Sequence, residues 1–217
     1  MVRTEVDAVL VEVLAGRRLL DHPFYRRWEA GTLERHELAA YAGQYRHFEA
    51  ALPGVLERAL ADIDVPEARR LVQANLDDER TTPAPHLELF EGFADAVGAP
   101  AHAEAMPATQ ALLDCYDAPG SPAAVLASLG AYEVQAAAVA ASKGDGLRRR
   151  YGVDEYGTRF WDVHARLEAD HGDWTVDAVA ALDAPLAEVR AAAAAAAAAW
   201  WAFLDEREAC ATVPAAC

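Results

Sequence analysis

The sequence predicts an all-α protein in which a single domain forms a bundle of helices. Apolar residues recur at intervals of three and four along the chain, and no segment shows the strict alternation typical of a strand. Glycine and proline fall between these periodic segments, where they end helices. A length of 217 residues suits one domain with a substantial core. We therefore predict one domain over 1–208 and a frayed tail over 209–217.

Nine helical segments follow from this periodicity, and the residues at their ends set the boundaries of the first four. Asp21 before Pro23 is a start signal for the second segment, and Thr32 before an acidic first turn is one for the third. Pro53 lies inside the third segment and is expected to kink or divide it. These four segments are 4–15, 22–29, 32–62 and 66–80.

The remaining five segments are separated by similar breakers. Gly98 is a stop signal for the fifth segment, and the pair Pro119-Gly120 is one for the sixth. The last segment contains the alanine run 191–199, and alanine is the strongest helix former, so this run predicts a terminal bundle helix. It is too short to cross a bilayer of about 30 Å and has charged neighbours. These five segments are 85–98, 104–117, 121–148, 155–180 and 184–208.

Charge and composition exclude several classes of function. The net charge of −16 argues against a surface for nucleic acid or anionic membranes, because both need clustered cations. The charged opening residues 1–7 do not resemble a secretory signal. The three cysteines, Cys115, Cys210 and Cys217, have spacings that suit no metal motif, so free thiols are expected. Together these features predict a cytoplasmic protein that binds neither nucleic acid nor membranes.

The segment from His164 to His171 carries the most informative motif. His164, Glu168 and His171 occupy relative positions 0, +4 and +7, which places their side chains on one stripe of a helix. The two histidines are about 10.5 Å apart along the axis, too far to share one metal ion comfortably. Two metal ions with Glu168 between them suit this spacing better. The alternative interpretation is a solvated charged face with ordinary surface histidines.

Two other segments offer partners for such a site. Glu79 and His86 flank Pro83 and Pro85, which rule out one straight helix and could bring the two side chains together. Glu133 lies alone in an apolar, alanine-rich run, where an ionised carboxylate needs a partner or a metal ion. The resulting set of three carboxylates and three imidazoles suits iron or manganese better than structural zinc.

These residues carry a family resemblance that extends from about Leu19 to Trp174. The order of the six ligand-type residues resembles the ligand set of the haem-oxygenase-like dimetal oxidases. The chain most resembles the para-aminobenzoate synthases related to the chlamydial protein associating with death domains. The segments that carry this likeness are 21–28, 40–45, 75–86, 132–135 and 142–152.

The resemblance implies a seven-helix bundle that activates oxygen at an Fe/Fe or Fe/Mn pair with the help of an external reductant. It makes Glu79, His86, Glu133, His164, Glu168 and His171 the metal ligands. It also implies self-sacrificing chemistry, in which Tyr25 supplies the aromatic ring and Lys143 the amino group of a folate precursor. Tyr41 matches a neighbouring catalytic position. Two residues depart from the family: Glu168 replaces an aspartate, and Phe160 replaces a tyrosine.

Two other functions remain open at this level. One is a dimetal oxygenase or oxidase that acts on a separate small molecule, such as a fatty acid or an amino-acid derivative. The other is a metal-free helical module of the TenA type, which would not need six inward ligands. The apolar terminal helix also favours a homodimer.

Overall fold

The computed structural model describes residues 1–118 and 120–210, and these form nine α-helices and one short 3-10 helix at Leu19–Asp21. The described residues contain no β-strand. The α-helices are α1 (Arg3–Leu14), α2 (Pro23–Ala30), α3 (Arg35–Ala61), α4 (Pro66–Thr81), α5 (His86–Val97), α6 (Pro107–Asp117), α7 (Pro122–Tyr151), α8 (Glu155–Leu182) and α9 (Leu186–Cys210).

The all-α fold is confirmed, and each predicted segment corresponds to one helix. Seven helices have at least 12 residues, in agreement with the expected seven-helix bundle, while α2 and α6 are shorter. Gly98 ends α5 in the left-handed conformation, as predicted. Pro119 lies outside the described residues, and α6 ends at Asp117.

Helix α3 differs from its prediction in two ways. It begins after Glu34 and not at Thr32, because the Glu37 carboxylate accepts a hydrogen bond from the Glu34 backbone N–H at 2.7 Å. It also continues through Pro53 without a break. Proline removes one backbone hydrogen bond, but α3 is held along its length by α4, α5 and α6.

Helix α8 is central because it packs against α4, α5 and α7. Its most extensive contact is with α7, and Gly172 permits a close approach there. A Cβ atom on Gly172 would lie 3.2 Å from the carbonyl oxygen of Glu133 on α7. Any larger residue would therefore push α7 away from α8 beside Glu133 and His171.

The last helix and two of the cysteines can also be compared with their predictions from the sequence. Helix α9 contains the alanine run and continues to Cys210, two residues beyond the predicted domain end, while 211–217 lie outside the described residues. Cys115 is a free thiol, as expected. Cys210 is disulfide-bonded, so the expectation of a free thiol is wrong there.

Helix α7 alone, among the described residues, is long and apolar enough to cross a membrane. Of its most apolar 18-residue window, 67% is buried inside the bundle, as in the core helix of a folded domain. Glu133 and Lys143 lie on this helix, and both side chains are buried.

Candidate metal centre

The six predicted ligands converge in the interior of the bundle from α4, α5, α7 and α8. None of these side chains is more than 5% exposed. The interpretation of the His164 motif as a solvated surface face is therefore wrong. The six residues are Glu79, His86, Glu133, His164, Glu168 and His171.

The break between α4 and α5 brings Glu79 and His86 together. Helix α4 ends at Thr81, the Thr82-Pro83 peptide bond is cis, and α5 begins at His86. The Nδ1 atom of His86 lies 2.9 Å from Oε2 of Glu79. A continuous helix would hold these side chains about two turns apart. The predicted break is thus confirmed.

Each of the three histidines has one ring nitrogen held by an acceptor outside the cluster. His86 Nε2 donates to the Thr82 carbonyl at 3.0 Å, and His164 Nδ1 donates to the Phe160 carbonyl at 2.9 Å. His171 Nε2 lies 3.3 Å from a carboxylate oxygen of Asp78. A neutral imidazole carries one proton, so in the neutral form of each ring these bonds would leave the other nitrogen to bind a metal ion.

The free nitrogens point towards the carboxylates. His164 Nε2 lies 3.5 Å from Glu168, and His171 Nδ1 lies 3.7 Å from Glu79 and 4.0 Å from Glu168. Two groups of ligand atoms, each with all members within 4.8 Å of one another, share Glu79. One group is Glu79, Glu168 and His171, and the other is Glu49, Glu79, His86 and His164.

Glu133 belongs to neither group. Its Oε1 atom accepts a hydrogen bond from Asn75 Nδ2 at 2.9 Å, while its Oε2 atom is buried without a partner. Burial raises the pKa of Glu133, and the nearby His171 opposes this shift. The carboxylate therefore lies next to the cluster with one oxygen available, and its role as a ligand stays a prediction.

The electrostatics of the cluster fit bound cations. Burial, reinforced by neighbouring carboxylates, raises the pKa of both Glu49 and Glu168 well above the usual value. Burial alone would lower the pKa of His86, but the adjacent Glu79 outweighs it and raises that pKa to about 9. One oxygen each of Glu49, Glu133 and Glu168 is buried and unpaired. Together with Glu79, these residues provide four carboxylates, whose charge would balance that of two divalent ions. Such a balance is expected of a dimetal site.

Lys143 lies beside this cluster in an aromatic cage formed by Tyr25, Trp28, Tyr41, Tyr45 and Trp161. The distances from its Nζ atom to the ring centroids are 4.2 Å for Trp161, 4.5 Å for Tyr25, 4.8 Å for Tyr41, 4.9 Å for Tyr45 and 5.8 Å for Trp28. Nζ also donates a hydrogen bond to the Tyr41 hydroxyl, and the Tyr41 and Tyr25 hydroxyls are 2.9 Å apart. The three predicted catalytic residues are therefore brought together.

The protonation state of Lys143 depends on two opposing effects. The surrounding rings attract an ammonium group, by about 2 kcal/mol when it is desolvated. Complete burial favours the neutral amine, and no carboxylate within ion-pairing distance of Nζ is present among the described residues. Burial is the larger effect and holds the pKa of Lys143 well below its usual range.

The Phe160 ring packs between the aromatic cage and the cluster of metal-ligand residues. The Phe160 ring packs on His164 with centroids 3.9 Å apart, and its centroid is 6.4 Å from that of Tyr45. The Tyr45 hydroxyl lies 2.6 Å from the hydroxyl of Tyr132, the residue before Glu133. Phe160 is thus a packing residue between the aromatic cage and the ligand cluster.

Two residues of the site were missed from the sequence. Asp78 lies next to Glu79 on α4 and orients His171. Glu49 lies on α3, four residues after Tyr45 and eight after Tyr41, so all three share one helix face. That spacing was the available signal, because an acidic residue on an otherwise aromatic buried face needs a partner.

Comparison with known proteins identifies the protein family to which the chain belongs. Residues 28–204 match the model of a family described as iron-containing redox enzyme. The chain belongs to this family of oxidoreductases, whose fold is haem-oxygenase-like.

Within this family, the chain is similar to several individual proteins. The chain is 34% identical to a protein named 4-aminobenzoate synthase from Nitrosomonas europaea, over 94% of this chain and 89% of the relative. It is 31% identical to a protein of the same name from Chlamydia pneumoniae, over 75% of this chain and 76% of the relative. A CADD-like protein of unknown function from Nostoc punctiforme has the same fold, with a TM-score of 0.76, 19% identity and coverage of 94% and 96%.

Proposed function

We propose that the protein is an oxygen-dependent 4-aminobenzoate synthase with two metal ions, in which Tyr25 supplies the ring and Lys143 the amino nitrogen of the product. The observation that carries this proposal is the position of the Lys143 Nζ atom, 4.5 Å from the centroid of the Tyr25 ring. The names of the relatives support the product, and the ligand cluster beside the aromatic cage supports the metal ions.

An Fe/Fe or Fe/Mn pair would supply the redox and oxygen chemistry that amino-acid side chains lack. Glu79, His86, His164, Glu168 and His171 would hold the metal ions, with Glu133 beside them. Oxygen and an external reductant are the co-substrates of this proposal. The burial of the site keeps water away from reactive species.

The protein's own residues prepare Tyr25 and Lys143 for reaction. Tyr41 holds both groups, because its hydroxyl contacts the Tyr25 hydroxyl and accepts the hydrogen bond from Lys143. Burial raises the pKa of Tyr25, so the phenol keeps its proton, and burial lowers the pKa of Lys143, so its amine is a nucleophile. The cage fixes the amine beside the ring and thereby reduces the entropy cost of reaction.

Metal content tests the proposal that the protein binds two metal ions. After anaerobic loading with ferrous iron, we expect about two metal ions per chain. His164→Ala removes a buried nitrogen that faces Glu168 and is expected to lose at least one ion, as measured by elemental analysis after desalting. His47→Gln is the control, because His47 contacts the Ala103 carbonyl at 2.9 Å, outside the cluster. Full occupancy in His164→Ala would contradict the assignment.

Isotope labelling tests the proposal that Tyr25 supplies the ring and Lys143 the amino nitrogen of the product. Protein that contains ring-¹³C tyrosine and side-chain ¹⁵N lysine, given only metal, reductant and oxygen, is expected to yield 4-aminobenzoate with both labels. The amount is expected not to exceed about one equivalent per chain, because a consumed side chain is not regenerated. Unlabelled product, or product from many turnovers, would instead support an oxygenase that acts on an external molecule.

The remaining parts of the proposal concern partners and location. We propose a cytoplasmic homodimer that binds neither nucleic acid nor membranes. The net charge of −16 supports the absence of an anionic partner, and the apolar terminal helix favours self-association. The alternative of a metal-free TenA-type module is disfavoured by the buried, unpaired carboxylate oxygens, which a metal-free core would leave without partners.

A further inference from the structure

We propose that Glu49 on α3 is an additional metal ligand and completes a set of four with Glu79, His86 and His164. It lies outside the six-residue pattern and comes from a helix that carries none of those residues. The inference rests on the proposed metal centre and names a further residue of it.

Glu49 has no conventional partner. The side chain is 2% exposed, and its Oε1 atom is buried without a hydrogen bond. Among the described residues it forms no ion pair within 4.0 Å, although Lys143 and His86 are near enough to attract it electrostatically. The group with the strongest electrostatic effect on it is the like-charged Glu79. An ionised carboxylate in this position costs free energy unless a cation offsets the burial and the repulsion.

The geometry suits a shared ion. One ligand atom from each of Glu49, Glu79, His86 and His164 lies within 4.8 Å of the others. Carboxylate oxygens and imidazole nitrogens bind first-row metal ions at about 2.0–2.2 Å, so two ligands of one ion are at most about 4.4 Å apart. Small side-chain movements would therefore bring the four atoms to one ion.

The fold holds Glu49 in place from both sides. Helix α3 packs against α4, which carries Glu79, and against α5, which carries His86. One turn earlier on the same face, Tyr45 contacts Tyr132 through their hydroxyls. The position of Glu49 thus depends on helices that also hold Glu79 and His86.

Lys143 is the other candidate partner for this carboxylate. Its Nζ atom donates to the Tyr41 hydroxyl and lies inside the aromatic cage. Burial favours the neutral amine there, and a neutral amine does not compensate a carboxylate. A cation bound by the four ligand atoms accounts for both the burial of Glu49 and its approach to Glu79.

The test uses the full-length protein and Co²⁺ as the probe ion, because its visible absorption reports the number and type of ligands. Calorimetric titration and absorption spectra are recorded for the wild type, Glu49→Gln, Glu49→Asp and Glu37→Gln. Glu49→Gln keeps the shape of the side chain but removes its charge. Glu37→Gln is the matched control, because Glu37 is also a buried carboxylate on α3 but pairs with Arg27 at 2.8 Å.

We expect Glu49→Gln to weaken one of the two Co²⁺ sites at least about tenfold and to change its absorption spectrum, while the other site is unchanged. Glu49→Asp, which keeps the charge on a shorter side chain, is expected to fall between Glu49→Gln and the wild type. Without metal, Glu49→Gln is expected to melt at a higher temperature than the wild type, because the amide removes the cost of keeping this carboxyl buried beside Glu79 without a cation. Glu37→Gln is expected to bind Co²⁺ as the wild type does.

Two results would overturn the inference, and they can be told apart. If the wild type binds two Co²⁺ ions and Glu49→Gln binds both with unchanged affinity and spectrum, Glu49 is not a ligand, while the proposed metal centre stands. If the wild type binds no Co²⁺ and no ferrous iron, the metal centre itself fails, and the role of Glu49 fails with it.

Discussion

Tyr25→Phe is expected to abolish the formation of 4-aminobenzoate and to leave metal binding intact. Among the described residues, the Tyr25 hydroxyl forms one hydrogen bond, with the Tyr41 hydroxyl at 2.9 Å, and the side chain is 2% exposed. Phenylalanine keeps the ring and its packing but loses the oxidisable hydroxyl. Loss of this hydrogen bond costs about 1 kcal/mol of stability, which a folded domain tolerates.

Product analysis, metal content and thermal unfolding of the same sample check this prediction. Tyr116→Phe is the matched control, because Tyr116 is also buried but accepts a hydrogen bond from Trp200 at 2.8 Å, outside the aromatic cage. The control is expected to form product as the wild type does. If Tyr25→Phe forms a normal amount of product, the ring comes from elsewhere.

Lys143→Met is expected to abolish product as well, but to make the metal-free protein more stable. Methionine has a similar length and packs against aromatic rings, but it has no nitrogen to transfer. Burying an amine costs roughly 1–3 kcal/mol. The hydrogen bond to Tyr41 recovers about 1 kcal/mol of this. A gain of up to about 2 kcal/mol in the free energy of unfolding is therefore expected at pH 7.

This gain in stability is expected to depend on pH in a defined direction. In the folded protein the pKa of Lys143 lies well below its ordinary value of 10.5, whereas the unfolded chain keeps the ordinary value. Between these two pKa values the unfolded chain binds more protons, so the wild type loses stability as the pH falls below 10.5. The difference between Lys143→Met and the wild type is expected to shrink as the pH rises towards 10.5, as measured by urea unfolding.

An equal stability of the two proteins from pH 7 to 10.5 would show that Lys143 is not desolvated. Product formation by Lys143→Met would show that the amino nitrogen has another source. The first result concerns the environment of the amine and the second its chemistry, so each part of the assignment can fail separately.

The helices could be predicted closely from the sequence, because helix periodicity and end signals are local. The stripe of His164, Glu168 and His171 is a property of one helix, and α8 presents it to the interior as the spacing predicts. The break between Glu79 and His86 follows from two prolines and was also predictable. The start of α3 was misplaced, because Thr32 and Glu34 are both plausible first residues and the contact of Glu37 with Glu34 decides between them.

Sequence by itself determined the helical fold, the candidate ligands and the pairing of Tyr25 with Lys143 through the family resemblance. The tertiary structure alone decided which ligand-type residues meet. The structure adds Glu49 and Asp78 to the site. It also shows that Glu133 lies at the edge of the site, where its carboxylate accepts a hydrogen bond from Asn75. The physical reason is that distances between helices depend on the packing of remote residues, such as Gly172 against Glu133, and these contacts leave no periodic trace in the sequence.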